Sequence, residues 1–266
     1  MTVKDITDSL EALAPLSWAE DFDNVGLLVG DESEEVTGIL VALDCLENVV
    51  EEAILKKANM IVSFHPIIFK GLKQLRPMDY VSRVVLKCIQ NNIAIYSMHT
   101  ALDNAALGVN FEISQRLGLK NIKALIPNES ISPKDPSGVL GMGRIGQFEN
   151  EMNEKGFLSH LKEVFGTPLI KHSQFLEKKI KKVAVLGGSG AFAIEQAIHL
   201  KADAYLTADL KYHDFFKAEK DILLVDIGHY ESEQFTKNLL VRYLTKKIPN
   251  FAISLSESNT NPIKYY

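Results

Sequence analysis

AILKKANMIVSFHP (residues 53–66) and AIHLKADAYLTADL (197–210) align without a gap, Ala53 with Ala197 and Ala58 with Ala202. In both, apolar residues recur at helical spacing and then fuse into a short run, MIVSF (60–64) and DAYLTA (203–208). That change of period is the mark of a helix leading into a strand covered on both faces, as in parallel sheets. A unit of this kind met twice predicts a duplicated α/β fold rather than one large α/β domain.

Reading outward from the first copy, the periodicity predicts a helix over 3–13, extended runs VGLLVG (25–30) and GILVALD (38–44), and a helix over Glu47–Lys57. Strand 60–64 follows, then a helix near Asp79–Gln90, a strand IAIYSM (93–98) and a helix over Ala105–Leu117. The second half repeats the order: a helix over Gly156–Phe165, an extended run Leu169–His172, a strand KVAVLG (182–187) and a helix over Ala191–Leu200. Strand 203–208, a short helix around His213–Ala218, a strand ILLVDI (222–227) and a helix over Glu231–Leu244 complete it. The expected class is α/β, with two duplicated α-β-(β-α)3 units, each a mostly parallel mixed sheet covered by helices. IPNESISPKDPSG (126–138) has turn-forming residues and no apolar period, so it divides the chain into a first repeat (1–125), a linker (126–138) and a second repeat (139–266).

Composition narrows the function classes. With 266 residues, 46% of them apolar, the chain can bury a substantial core. The formal charge is −5 without a basic block, so electrostatic capture of nucleic acid is not expected. The N-terminus lacks the basic and apolar stretches of a signal peptide, and no run reaches the ~18 apolar residues of a membrane span, which predicts a cytoplasmic protein with no membrane partner. Cys45 and Cys88 sit in apolar stretches without CxxC spacing and read as core residues.

Chemistry concentrates at strand ends. MHTALD (98–103) and GHYESE (228–233) each follow a strand and place a histidine four residues before a carboxylate: His99 with Asp103, and His229 with Glu233. FHP (64–66) and TADLKYHD (207–214) add His65 and His213 in two further strand-end loops. In α/β sheets, loops beyond the carboxyl ends of strands converge while the sheet holds them rigid. Imidazole with carboxylate is a donor set for a borderline divalent ion, and an i, i+4 pair leaves one helix face about one turn apart. Each pair has a second reading: an acid in the first turn stabilises the positive end of the helix dipole, and Asp103 can cap the helix that follows. Four matching loops shift the balance toward a metal site among these strand-end histidines and carboxylates. Lys211 and His213 are candidate contacts to an anionic substrate, and they fit a solvated surface equally well. LGGSGAF (186–192) has the glycines of an anion-cradling turn but neither P-loop nor GxGxxG spacing, and reads more simply as a tight βα turn.

Taken together, AEDFDNVGLLVGD (19–31), VSFHPIIFKGLK (62–73), MHTALDNAALGVN (98–110), VLGGSGAF (185–192) and DIGHYESE (226–233) resemble the NGG-interacting-factor-like family, also known as GTP cyclohydrolase I type 2. The resemblance implies intertwined halves, a homohexamer built as a trimer of dimers, and a dinuclear metal site. It also implies a water-activating hydrolase of a small molecule such as a nucleotide, or alternatively a metal-stabilised ring-shaped scaffold or binding protein without turnover. Family ligands carried onto this chain are His65, Asp103, His229 and Glu233, with Phe64 standing where the family has the first histidine of HHP. A phenyl ring cannot ligate. The expectation is therefore one tight site and a second of lower occupancy, taken by Zn, Mn or Fe at one or two ions per chain, with His99 as a neighbour that orients a ligand or replaces the missing one.

Overall fold

The computed structural model describes residues 1–128 and 138–266, so most of the predicted 126–138 linker lies outside the described residues. The chain forms two compact units, one of Met1–Leu102 with Thr236–Lys264 and one of Asp103–Phe235 with Tyr265–Tyr266. Each is a mixed sheet covered by helices.

In the first unit the elements in chain order are α1 (Val3–Glu11), β1 (Gly26–Val29), β2 (Ile39–Ala42), α2 (Glu47–Leu55), β3 (Met60–Ser63), α3 (Tyr80–Gln90) and β4 (Ala94–Ser97). α4 (His99–Asn104) then carries the chain into the second unit. There follow α5 (Val109–Leu117), β5 (Lys120–Pro127), β6 (Gly141–Asn153), α6 (Glu154–Phe165), β7 (Lys171–His172), β8 (Lys179–Ser189), α7 (Ile194–His199), β9 (Ala204–Ala208), β10 (Leu223–Asp226) and α8 (His229–Glu233). The chain returns to the first unit with α9 (Thr236–Lys247) and β11 (Ile253–Leu255).

The first sheet runs β1-β4-β3-β2-β11, with β1 antiparallel to β4 and the other pairings parallel. The second runs β5-β6-β8-β9-β10-β7, with β8-β9-β10 parallel and its remaining pairings antiparallel. The same motif lies inside both: three parallel strands with a short antiparallel strand beside the last of them, β2-β3-β4-β1 in one unit and β8-β9-β10-β7 in the other. This is the duplication expected from the aligned segments.

Strand runs that read as continuously apolar are buried along their whole length, as in β2, β3, β4 and β10. Leu40, Ile61 and Ile95 are fully enclosed in a core that α2 and α3 complete with Val49, Val50, Ala53, Val84 and Val85. The second core sets Ala184, Leu186, Tyr205 and Leu224 against Ile194 and Ala197 of α7. Each full aliphatic burial contributes about 1.5–3 kcal/mol. Helix starts are closed by side chains. Thr2 and Asp5 form a capping box on α1, Asp79 accepts the Ser82 N–H at 2.8 Å on α3, and Asn153 accepts the Gly156 N–H at 2.7 Å on α6.

Three features depart from periodicity alone. β5 carries two lysines and β6 three glycines and three charged residues, yet the two strands pair, and the three-residue β11 is a parallel edge strand. The helix expected over 105–117 begins only at Val109, with Gly108 as its N-cap and the short α4 before it, and the helix expected over 231–244 is divided into α8 and α9. Gly141 explains part of the β5–β6 pairing: its φ is +136°, and a Cβ there would lie 2.2 Å from the Ile126 carbonyl oxygen.

α9 and β11 are tied to the first unit by Glu52 of α2. Its carboxylate accepts the Ser256 hydroxyl at 2.7 Å, the Glu257 and Ser258 N–H groups at 3.0 and 3.1 Å, and the Ser258 hydroxyl at 2.7 Å. Lys56 adds an ion pair at 2.7 Å, and Lys237 of α9 donates to the Ser256 carbonyl at 2.8 Å.

Candidate metal-binding site

In the first unit, two histidines at strand ends are each held by an aspartate from elsewhere in the chain. Phe64 and His65 follow β3; His65 Nδ1 lies 2.8 Å from Asp44, which sits just beyond β2 and also accepts the Thr260 hydroxyl. His99 opens α4 after β4, and its Nδ1 lies 2.7 Å from Asp23, whose other oxygen accepts the Thr100 N–H at 3.0 Å. Burial alone would raise the Asp23 pKa, but hydrogen bonds from His99 and Thr100 lower it to about 2. With Nδ1 committed in both rings, Nε2 is the nitrogen each presents for ligation. Phe64 is fully buried, its ring centroid 4.9 Å from that of His65 and 5.5 Å from that of His99.

In the second unit, α8 carries His229 and Glu233 one turn apart on one face, as their spacing requires. His229 Nε2 lies 3.1 Å from Glu233 Oε2, and His229 Nδ1 lies 2.7 Å from Asp209 Oδ2. Glu233 is 4% exposed. One imidazole thus stands between two carboxylates. Burial alone would lower the His229 pKa, but its hydrogen bonds to Asp209 and Glu233, with their charge, raise it to about 11. Hydrogen bonding to His229, against the cost of burial and reinforced by the Ser189 hydroxyl, holds the Asp209 carboxyl below the usual range. Asp209 takes this position at φ +57°, a left-handed conformation that aspartate tolerates better than most residues.

The glycine turn after β8 frames this group. Gly188 has φ +67°, and a Cβ there would fall 2.4 Å from Glu233 Oε1 and 3.3 Å from His229 Cε1. Its N–H donates to Ser232 at 3.0 Å, and the Gly187 N–H donates to Asn110 Oδ1 at 2.9 Å. The Asn110 amide in turn reaches the Asp103 carbonyl and Oδ1 at 3.4 and 3.5 Å. The glycines of LGGSGAF therefore serve close approach of backbone to a carboxylate.

Of the sequence-derived candidates, the second unit gathers Asp103, His229 and Glu233 around this turn, while His65 and His99 belong to the first unit, each with its own aspartate. Lys211 and His213 are exposed, and His213 makes ring contacts with Tyr212 and Phe216 at centroid distances of 5.2 and 5.9 Å. Sequence reasoning passed over Asp23, Asp44, Asp209 and Asn110. A signal existed for Asp209, which aligns with His65 in the two repeated segments.

The residues present suit a divalent ion. His229 Nε2 and Glu233 Oε2 are about as far apart as two donors that share a metal with bonds of about 2.0–2.2 Å. Two carboxylates around one imidazole leave a net negative charge for a cation to balance, and Asp209 on Nδ1 supplies the outer-shell partner that ligating histidines usually have.

Comparison with known proteins adds a family. The model of Duf34/NIF3 (NGG1p interacting factor 3) matches residues 1–262. A Clostridium acetobutylicum protein named GTP cyclohydrolase 1 type 2 homolog is 34% identical over 272 residues, covering 100% of this chain and 99% of the relative. The crystal structure of Staphylococcus aureus hypothetical protein SA1388 superposes with a TM-score of 0.91 at 32% identity, covering 100% of this chain and 99% of that one. A Bacillus cereus protein related to NIF3 gives 0.91 at 26% identity, with the same coverage of both chains.

Proposed function

Since the chain belongs to the Duf34/NIF3 family, we propose that it is a metal-dependent hydrolase-like protein, with His65, Asp103, His229 and Glu233 holding one or two divalent ions. The observation that carries this reading is the Asp209–His229–Glu233 group, a buried carboxylate facing an imidazole whose other nitrogen is fixed by a second carboxylate. A bound ion would supply Lewis acidity and a lowered pKa for its water.

The chain's own residues have distinct tasks. Asp209 and Asp44 orient the rings of His229 and His65 so that Nε2 is presented. Glu233 offers its carboxylate from a buried position, and Gly188 leaves it room. The nitrogen and oxygen donor set suits Zn, Mn or Fe. A nucleotide is the substrate class suggested by the relatives' name, and a homohexamer in the cytoplasm is the assembly and place that go with the family reading.

Phe64 supports a second reading. A buried phenyl in place of a ligand weakens a two-metal centre as an activator of water, which fits a metal-stabilised binding protein without turnover.

Metal analysis tests both readings. The purified protein loaded with Zn, Mn or Fe should retain at least one ion per chain, and Phe64→His should raise that toward two. Loaded protein offered GTP and simple phosphoesters should show metal-dependent turnover. Retained metal with no turnover on any of them selects the binding role, and no retained metal ends the proposal.

A further inference from the structure

Residues 64–79 connect β3 to α3 without helix or strand. Ordered stretches of that kind longer than about 12–15 residues are uncommon inside compact domains and are usually functional. From Phe69 to Tyr80 every residue is exposed. The base of the segment is anchored, since the Asn24 side-chain amide donates to the Ile68 carbonyl.

Two features of this segment converge. The first is aromatic: Phe22 is 68% exposed and Phe69 45%, their ring centroids are 6.5 Å apart, Phe69 lies 6.2 Å from His99, and His99 lies 5.5 Å from His65. A run of rings thus leads from solvent to the two histidines at the ends of β3 and β4. The second is charge: Lys70, Lys73 and Arg76 follow at intervals of three and form no ion pair among the described residues. The nearest acid in sequence, Asp79, is occupied in capping α3. In a chain of formal charge −5 this is a local surplus of cations in the same exposed segment that carries Phe69.

Rings accept flat partners by stacking, and lysine and arginine accept phosphate oxygens. We infer that Phe22, Phe69, Lys70, Lys73 and Arg76 form a recognition surface for a small molecule that joins a planar ring to phosphate-like negative charge and reaches His99 and His65. The inference rests on the proposed metal function only in calling that molecule the substrate. Charge complementarity selects this occupant over a neutral apolar one.

Calorimetric titration of the full chain, metal-free and metal-loaded, with GTP, guanosine and inorganic tripolyphosphate tests it. GTP should bind at least tenfold more tightly than either fragment, and its affinity should fall as salt rises. Phe69→Ser should weaken GTP about tenfold, the loss expected for one stacking ring. The triple variant Lys70→Gln, Lys73→Gln, Arg76→Gln should weaken it at least as much and flatten the salt dependence. These positions are on the surface, so unchanged thermal unfolding verifies the fold of each variant.

Equal affinity for the three probes, or variants that bind GTP like the parent, overturns the inference. So does a preference for a single-stranded decanucleotide over GTP that these variants abolish, or an altered sedimentation of the variants with GTP binding intact, which would assign the surface to a second copy. Retained metal without GTP binding removes this inference alone. GTP binding in a chain that retains no metal removes the hydrolase reading and leaves the recognition surface standing.

Discussion

The ends of β3 and β4 in one unit and of β9 and β10 in the other are built on the same strand order, yet they carry different chemistry. Ser63 and Thr207 are equivalent in the repeat, and two residues beyond them stand His65 and Asp209. His99 and His229 follow the next strand in both. The first unit thus pairs each of two histidines with a separate aspartate, whereas the second places one histidine between two carboxylates. Duplication preserved the scaffold, and substitution at one equivalent position made one end rich in imidazole and aromatic rings and the other rich in negative charge.

The largest effect expected from breaking this contrast is at Glu233. Glu233→Ala should strip most bound metal, more than tenfold by elemental analysis, while His199→Ala on the exposed face of α7 leaves it unchanged; equal metal in the two would refute the assignment. Asp209→Asn leaves every proposed ligand in place but loosens the His229 ring, and should weaken metal binding about 10–100-fold. Asp44→Asn asks the same of His65, and competition with a chromophoric chelator measures both. Loss in only one of them would show that a single unit dominates the affinity.

Gly188→Ala sharpens the comparison through backbone packing. A methyl against Glu233 at positive φ should cost about 1–3 kcal/mol in urea unfolding. Gly166→Ala, at φ +62° with nothing within 4 Å, serves as the control and should cost less. Matching values would mean that α8 shifts freely.

The smallest effect concerns how the first sheet is closed. Burial alone would raise the Glu52 pKa, but hydrogen bonds from Lys56, Glu257, Ser256 and Ser258 lower it to about 2 from an ordinary 4.5. A depressed folded-state value means that this contribution is fully present above pH 4.5 and is lost as the pH falls from there toward 2. After allowance for solvent screening it is worth about 1–2 kcal/mol. Glu52→Gln should flatten stability over that window and speed hydrogen exchange in β11, whereas β5 and β6 of the second unit should exchange as before. Faster exchange in both sheets would deny the local role of Glu52.

Much of this molecule is legible in its residues. The change from helical period to continuous apolar run located β2, β3, β4, β8, β9 and β10, because strands buried on both faces must be apolar throughout. The alignment of 53–66 with 197–210 announced the duplication, and the i, i+4 spacing placed His229 and Glu233 on one helix face before any fold was known. β5, β6 and β11 were not legible: charge interrupts the apolar run in β5, glycine and charge interrupt it in β6, and β11 is only three residues long.

What only the tertiary structure decided is which acid meets which ring. Asp23 reaches His99 across 76 positions, Asp44 reaches His65 across 21 and Asp209 reaches His229 across 20. Sequence periodicity describes the local geometry of helix and strand, which repeats every few residues. Partners this far apart are brought together by sheet order and loop path, and those are set by the burial of whole strands rather than by any residue's neighbours.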